Sequence, residues 1–166
     1  MKKLLGIIIF TLLAIFSLTA NSASALVFNQ DDALDTIDKL DTIASSDLFS
    51  MVNKSELIGI RYENFTMLTK QYQSEVLGTA NLLRDKLNKI NIILNSSDYS
   101  DTEKQMQSNA LYQEINLALN TIDTRTMNYI FALRDYMPSI TYQRYNKRFS
   151  EYYNSFDITD TKVNIY

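Results

Sequence analysis

The chain has no cysteine, no histidine and no tryptophan, one proline and three glycines. Without cysteine no disulfide can constrain the unfolded chain, so packing alone must hold the fold. Missing histidine and cysteine together remove the commonest general base, the commonest thiol nucleophile and the usual transition-metal ligands. No Gly/Ser linker, internal repeat or second domain is visible, and the length suits one domain.

Charge is nearly balanced, with 16 Lys plus Arg against 19 Asp plus Glu. The imbalance is local. Between Leu26 and Asp47 stand six acids (Asp31, Asp32, Asp35, Asp38, Asp41, Asp47) and one base, Lys39, while residues 48–166 hold 13 of each sign. A neutral body with an acidic arm has no basic footprint for nucleic acid.

The first residues read as an export signal: Lys2 and Lys3, an apolar run from Leu4 to Leu18, then Asn21-Ser22-Ala23-Ser24-Ala25. A basic start, a short apolar run and an Ala-x-Ala ending predict a signal peptide over residues 1–25, cleaved after Ala25. The apolar run is shorter than the roughly 20 residues of a spanning helix, so no membrane insertion is expected after cleavage. No cysteine follows the site, which excludes a lipoprotein. The expected location is periplasmic or secreted.

Beyond the signal, the pattern is helical throughout. Residues 26–54 are read as an acidic N-terminal arm with one short helix over Asp31 to Ala44, its stripe Leu34, Ile37, Leu40 and Ala44, docked loosely. From Ser55, a plausible N-cap, to Leu94, apolar residues recur in steps of three and four (Phe65, Leu68, Tyr72, Val76, Ala80, Leu83, Leu87, Ile90, Leu94). A helix of that length runs to roughly 60 Å, too long for a compact globule to enclose, so something must lie along it. Gly78 inside it costs roughly 1 kcal/mol relative to Ala, which points either to a bend or to the close approach of another backbone.

The cluster Asn95 to Ser100 marks a turn, and Ser100 with Glu103 forms a capping box for a second long helix. That helix carries Leu111, Ile115, Ala118, Ile122, Thr126, Tyr129, Leu133 and Met137 and stops at Pro138. Two long helices joined by a short turn are antiparallel neighbours. A final short helix over Ser139 to Asn154 follows, with an aromatic stripe of Tyr142, Tyr145, Phe149, Tyr152 and Phe156. The predicted fold is therefore all-α: a short N-terminal helix, then a long antiparallel helical hairpin plus a short C-terminal helix over residues 55–156, and a frayed tail over 157–166.

No constellation carries chemistry. The acids are scattered along helix surfaces or gathered in the arm, with no loop long enough to build a pocket, so no catalytic residue is assigned and an enzyme is not expected. Met51, Met67, Met106, Met127 and Met137 never fall three or four apart, so no helix presents a thioether pair and they read as core filler. Asp98, Asp101 and Glu103 lack the glycine and spacing of a calcium loop. No metal site or cofactor is expected. Sequons at Asn53, Asn64 and Asn95 occur at the rate chance allows in an Asn-rich chain. Apolar residues beyond the main stripes do call for a partner: Leu57, Ile60, Leu77, Leu82, Ile93, Leu117 and Leu119. The candidate client or dimer surface is Leu77, Leu82, Leu117, Tyr142, Tyr145 and Tyr152, with the acidic arm covering it when no client is present.

An exported, cysteine-free helical chain of this plan resembles the Spy and CpxP family of periplasmic stress proteins. The closest stretch is Asn95 to Phe149, with Ser97-Asp98-Tyr99-Ser100-Asp101, the long helix and Met137 to Arg144 in the family's order. Ile140-Thr141-Tyr142-Gln143 and Leu68-Thr69-Lys70-Gln71 are similar to the family's Leu-Thr-x-x-Gln hallmark, each one residue short, so Ile140, Thr141 and Gln143 are the motif-like positions. The resemblance implies an ATP-independent chaperone or envelope-stress adaptor that binds unfolded or envelope proteins, as a thin helical homodimer. The rival reading is a structural or interaction module, such as a helical adhesin or a protein with one dedicated partner. Processing is directly testable: the intact mass of the exported form should correspond to a chain beginning at Leu26, and a mass retaining the first 25 residues contradicts the signal assignment.

Overall fold

The computed structural model describes residues 30–158; the expected signal segment, residues 26–29 and residues 159–166 lie outside them. Every regular element among the described residues is helical: α1 (Gln30–Ser45), short 3-10 turns at Leu48–Met51 and Lys54–Glu56, α2 (Ile60–Asn95), α3 (Asp101–Arg134) and α4 (Ser139–Asn154). The α2–α3 pair is the expected hairpin. Phe65, Tyr72, Val76, Ala80, Leu83, Leu87 and Ile90 of α2 are buried, and Tyr112, Ile115, Leu119, Ile122, Tyr129 and Leu133 of α3 are buried.

The start of α2 differs from the expected one. Ser55 does not cap it but lies inside the separate Lys54–Glu56 turn, which Asn53 caps by accepting from the Ser55 amide and hydroxyl at 3.1 and 2.8 Å. Gly59 then adopts φ +60°, ψ −131°, a conformation that residues with a Cβ avoid, so the helix begins only at Ile60. At the other end the capping box forms as the sequence requires. Ser100 accepts from the Glu103 amide, and Glu103 accepts from the Ser100 amide at 2.9 Å. The Ser100 hydroxyl, donating to the carboxylate at 2.7 Å, and then the Ser100 amide hold the Glu103 carboxyl below its ordinary range. α3 closes at Arg134 rather than Met137, because the Tyr136 and Met137 amides both return to the Leu133 carbonyl before Pro138.

The arm is not loose. Leu40 and Ile43 are fully buried, and the burying stripe of α1 is Ala33, Thr36, Ile37, Leu40 and Ile43, whereas Leu34 is exposed and Ala44 half-buried. α1 runs antiparallel to α2: Asp41 pairs with Arg84, and Gln73 donates to the Ser46 carbonyl at 2.7 Å. α1 thus covers the turn-end half of the hairpin's inner face. The other half is covered by α4 and by residues 48–57, joined through Glu56, whose carboxylate accepts from Thr141 at 2.8 Å and from Arg144 at 3.1 Å. Beyond α4 the chain does not fray at once, since Ile158 is buried.

Leu83→Ala or Ile122→Ala should destabilise the protein by about 2 to 5 kcal/mol, because both side chains are completely buried where the two long helices meet. Lys89→Ala removes one exposed ion pair with Asp85 and should shift stability by less than about 0.5 kcal/mol. Equal urea midpoints for the three variants would contradict this interface.

Candidate interaction surface

The two faces of the hairpin are finished differently. On the inner face, α4 docks through rings. Tyr72 and Tyr129 stack with centroids 4.4 Å apart and planes within 7°. Phe149 meets both edge-on, and Tyr145 meets Phe65 edge-on at 5.6 Å. Such pairs contribute about 0.5 to 1.5 kcal/mol each beyond the area they bury. The hydroxyls of Tyr72, Tyr129, Tyr145 and Tyr153 also find partners. Tyr129 lies 3.0 Å from Thr69 Oγ1 and 2.6 Å from the Tyr145 hydroxyl, Tyr72 lies 3.0 Å from Thr126 Oγ1, and Tyr153 donates to Asp123 at 3.0 Å. The cluster therefore satisfies its polar atoms while excluding water.

On the outer face, no third helix among the described residues lies over the seam between α2 and α3. Three dents follow one another along it. The central one, about 470 Å³, is lined by Gly78, Thr79, Leu82, Leu117, Ala118 and Thr121, with Glu75, Arg125 and Glu114 at its ends. Toward the turn, about 420 Å³ is lined by Ile92, Ile93, Tyr99, Ala110 and Leu111. Toward the opposite end, about 280 Å³ is lined by Leu68, Gln71, Tyr72, Asn128, Tyr129 and Ala132, with Glu75 and Arg125 shared with the central dent. The lining of the central and turn-side dents is mostly aliphatic and small, and Lys86, Glu114 and Arg125 make polar contacts across the seam. Lys86 meets Glu114, and Arg125 donates to the Glu75 carbonyl at 3.3 Å and to Thr79 Oγ1 at 3.1 Å.

The candidate residues divide between these faces. Leu77, Leu82 and Leu117 point outward, Leu117 with 68% of its surface exposed. Tyr142 and Tyr152 are half-buried. Tyr145 is fully buried and belongs to the core, because its hydroxyl closes the chain through Tyr129 to Thr69. Of the motif-like residues, Ile140 and Gln143 are exposed, while Thr141 is buried and anchors Glu56. Leu57 and Leu119 are buried, Ile93 is half-buried and Ile60 is exposed. α1 lines none of the three dents, so the acidic arm is a fixed wall of the inner face and not a cover for the seam.

Other exposed residues were not singled out by spacing: Ile58 at 80%, Ile92 at 69%, and Tyr99. Ile58 and Ile60 flank Gly59, whose positive φ turns the chain there. Glycine between two isoleucines ahead of a helical stripe was the available signal. α2 is continuous through Gly78, and a Cβ built there would meet nothing within 4 Å, so among the described residues no other backbone makes the close approach that a glycine would serve. Among the described residues, no three acidic side chains converge as metal ligands and no helix is long and apolar enough to cross a membrane.

Burial pushes the Tyr129 and Tyr112 hydroxyls up to about 12 and raises Tyr72, Tyr145 and Tyr153 as well, Tyr145 well above the ordinary value. A raised folded value means that the fold favours the protonated phenol. Stability is then complete below the ordinary tyrosine value of 10.0 and is lost as pH rises from there through about 12. Urea midpoints should be flat below that window and fall steeply within it. Tyr129→Phe should flatten the fall, and an equally steep fall in that variant would place the alkaline transition elsewhere.

No family model, no curated protein and no solved structure matches the chain.

Proposed function

We propose that this chain is an exported, non-catalytic binding protein that holds unfolded or envelope proteins without ATP, as a periplasmic chaperone or envelope-stress adaptor. The observation that carries the reading is the uncovered seam along the hairpin. Its apolar side chains are spread over the full length of two helices instead of being gathered into one deep cleft. A surface of that form offers many shallow aliphatic contacts and few directional ones, which suits segments of varied sequence better than one shaped ligand. The exposed isoleucines at both ends, Ile58, Ile60 and Ile140 at one and Ile92 at the other, extend the same chemistry past the seam.

The resemblance to the Spy and CpxP family supports the same reading through Ile140, Thr141 and Gln143, with Thr141 acting as an anchor between elements. In the rival reading, a dedicated interaction module, the same surface serves one partner.

The purified protein should suppress light scattering from several unrelated chemically denatured proteins on dilution, without nucleotide. Ile92→Asp with Ile140→Asp should weaken that suppression and leave the helical spectrum unchanged, since exposed substitutions shift stability by about 0.5 kcal/mol or less. Full suppression by the double variant would move the client surface elsewhere. No suppression by the wild type, with a single saturable complex in a pull-down, would favour the dedicated module.

A further inference from the structure

The end of the hairpin away from the turn is tipped with bare aliphatic side chains. Thr69 meets Tyr129 and Tyr72 meets Thr126, so three residues along one long helix match three in the opposite sense along the other. Carried nine residues past Thr69, that register brings Ile60 level with Pro138, next to Ile140 on the first turn of α4. Glu56 accepts from Thr141 and Arg144, which sets Ile58, two residues on, at the same end. Ile58, Ile60 and Ile140 are each more than two-thirds exposed. Tyrosines accompany them: Tyr136 is exposed, and Tyr62 and Tyr142 are half-buried.

The charge at this end is basic. Lys54, Arg61, Arg134, Arg144 and Lys147 stand there against Glu56, Glu63 and Asp135, and Glu56 is already engaged by Thr141 and Arg144. Among the described residues Lys54, Arg61 and Arg134 have no ion-pair partner, and neither have Glu63 and Asp135. The turn end has the opposite sign. Asp32, Asp38, Asp98, Asp101 and Glu103 gather there, while Lys39 and Lys89 are held by Asp35 and Asp85, which leaves Lys104. α2 alone, at 36 residues, separates the two ends by about 54 Å. The hairpin thus has an electrical axis along its length, and an anionic surface attracts the isoleucine-tipped end while repelling the other.

Three kinds of partner compete for such a tip. A second copy set tip to tip would bring two basic ends together, which repel. A folded protein gains little from it, because the end of a hairpin offers only a small part of the roughly 800 Å² that a stable contact buries on each partner. A bilayer closes around each side chain separately and needs no matching shape. Aliphatic points for the acyl boundary, tyrosines for the headgroup level and guanidinium groups for the phosphates are the three parts of a membrane-surface contact. We infer that Ile58, Ile60 and Ile140, with Arg61, Arg134 and Arg144, dock this end on an anionic lipid bilayer. The contact is made by side chains at the surface, since no helix of the described residues is long and apolar enough to cross. Standing on that end, the protein keeps the outer seam and Ile92 open to polypeptide, and in solution the tip isoleucines are open as well. This inference does not depend on the identity of any client.

Protein lacking residues 1–25, so that the apolar run from Leu4 to Leu18 contributes nothing, should pellet with vesicles of phosphatidylcholine containing phosphatidylglycerol. It should pellet far less with phosphatidylcholine alone, and salt should release it. Arg61→Gln with Arg134→Gln should weaken binding about tenfold or more, and Ile58→Asp with Ile60→Asp should abolish it. Both variants should keep the helical spectrum, since all four positions are exposed, and Ile92→Asp should bind as the wild type does. The chain has no tryptophan, so Ile60→Trp supplies a single reporter. Its emission should move to shorter wavelength on the anionic vesicles and be quenched by brominated acyl chains, whereas Ile92→Trp should show neither. A wild type that fails to bind, or tip variants that bind as well as the wild type, overturns the lipid surface. Equal quenching of Ile60→Trp and Ile92→Trp overturns the end-on stance. Capture by soluble polyglutamate without vesicle binding would overturn the lipid and assign the tip to an acidic polypeptide. Loss of aggregation suppression with vesicle binding intact would count against the client reading and leave this one standing.

Discussion

A layer two helices wide has two faces, and the described residues carry enough additional helix to cover one. α2 and α3 run far past the width of a small domain, while α1 and α4 together lie along the inner side alone. Everything else follows from where that remaining helix was placed. The inner face could be sealed with large rings and fully buried aliphatics. The outer seam is left in contact with solvent or with another molecule, and its lining of small and aliphatic residues is compatible with both.

The sealed face solves a difficulty of its own. Aromatic residues bury large areas, but each tyrosine also brings a hydroxyl that is costly to leave unpaired. Here the cost is met locally by Thr69 and Thr126, small β-branched residues whose hydroxyls stand opposite Tyr129 and Tyr72. Two threonines in an otherwise apolar stripe thus act as receptors for the rings of the facing helices. They also set register, because sliding α4 along the hairpin would separate Tyr145 from Tyr129 and Tyr153 from Asp123. In a protein with no disulfide, geometric pairing of this kind gives specificity that aliphatic packing by itself does not.

The helical hairpin was legible because its signals are periodic and local. Stripes at three- and four-residue spacing, the capping box at Ser100 and Glu103, and the single proline each act within a turn of helix. The start of α2 was less so, since Ser55 has the composition of a cap but lies inside the Lys54–Glu56 turn, and the N-cap of α2 is Gly59 at a positive φ. The tight docking of α1 was concealed by its many acids: spacing put Leu34 and Ala44 in the stripe, but the face that meets α2 is rotated to include Ala33 and Ile43. Tyr145 and Tyr152 share one aromatic stripe, yet one is core and the other half-buried. Periodicity assigns residues to a helix face, and only the path of neighbouring elements decides which part of that face is enclosed. Ile58, Ile60 and Ile140 were present in the sequence, but they gain meaning only once the hairpin register brings them to one end.

The isoleucines provide the most direct test of the central claim, that one face is closed and the other works. Ile37, Ile43, Ile90, Ile115 and Ile122 are buried, whereas Ile58, Ile60, Ile92 and Ile140 are exposed, so their methyl resonances report the two environments separately. On titration with a chemically unfolded polypeptide, the exposed set should shift or broaden while the buried set stays in place. Perturbation of the buried set, or none in either, would contradict the account.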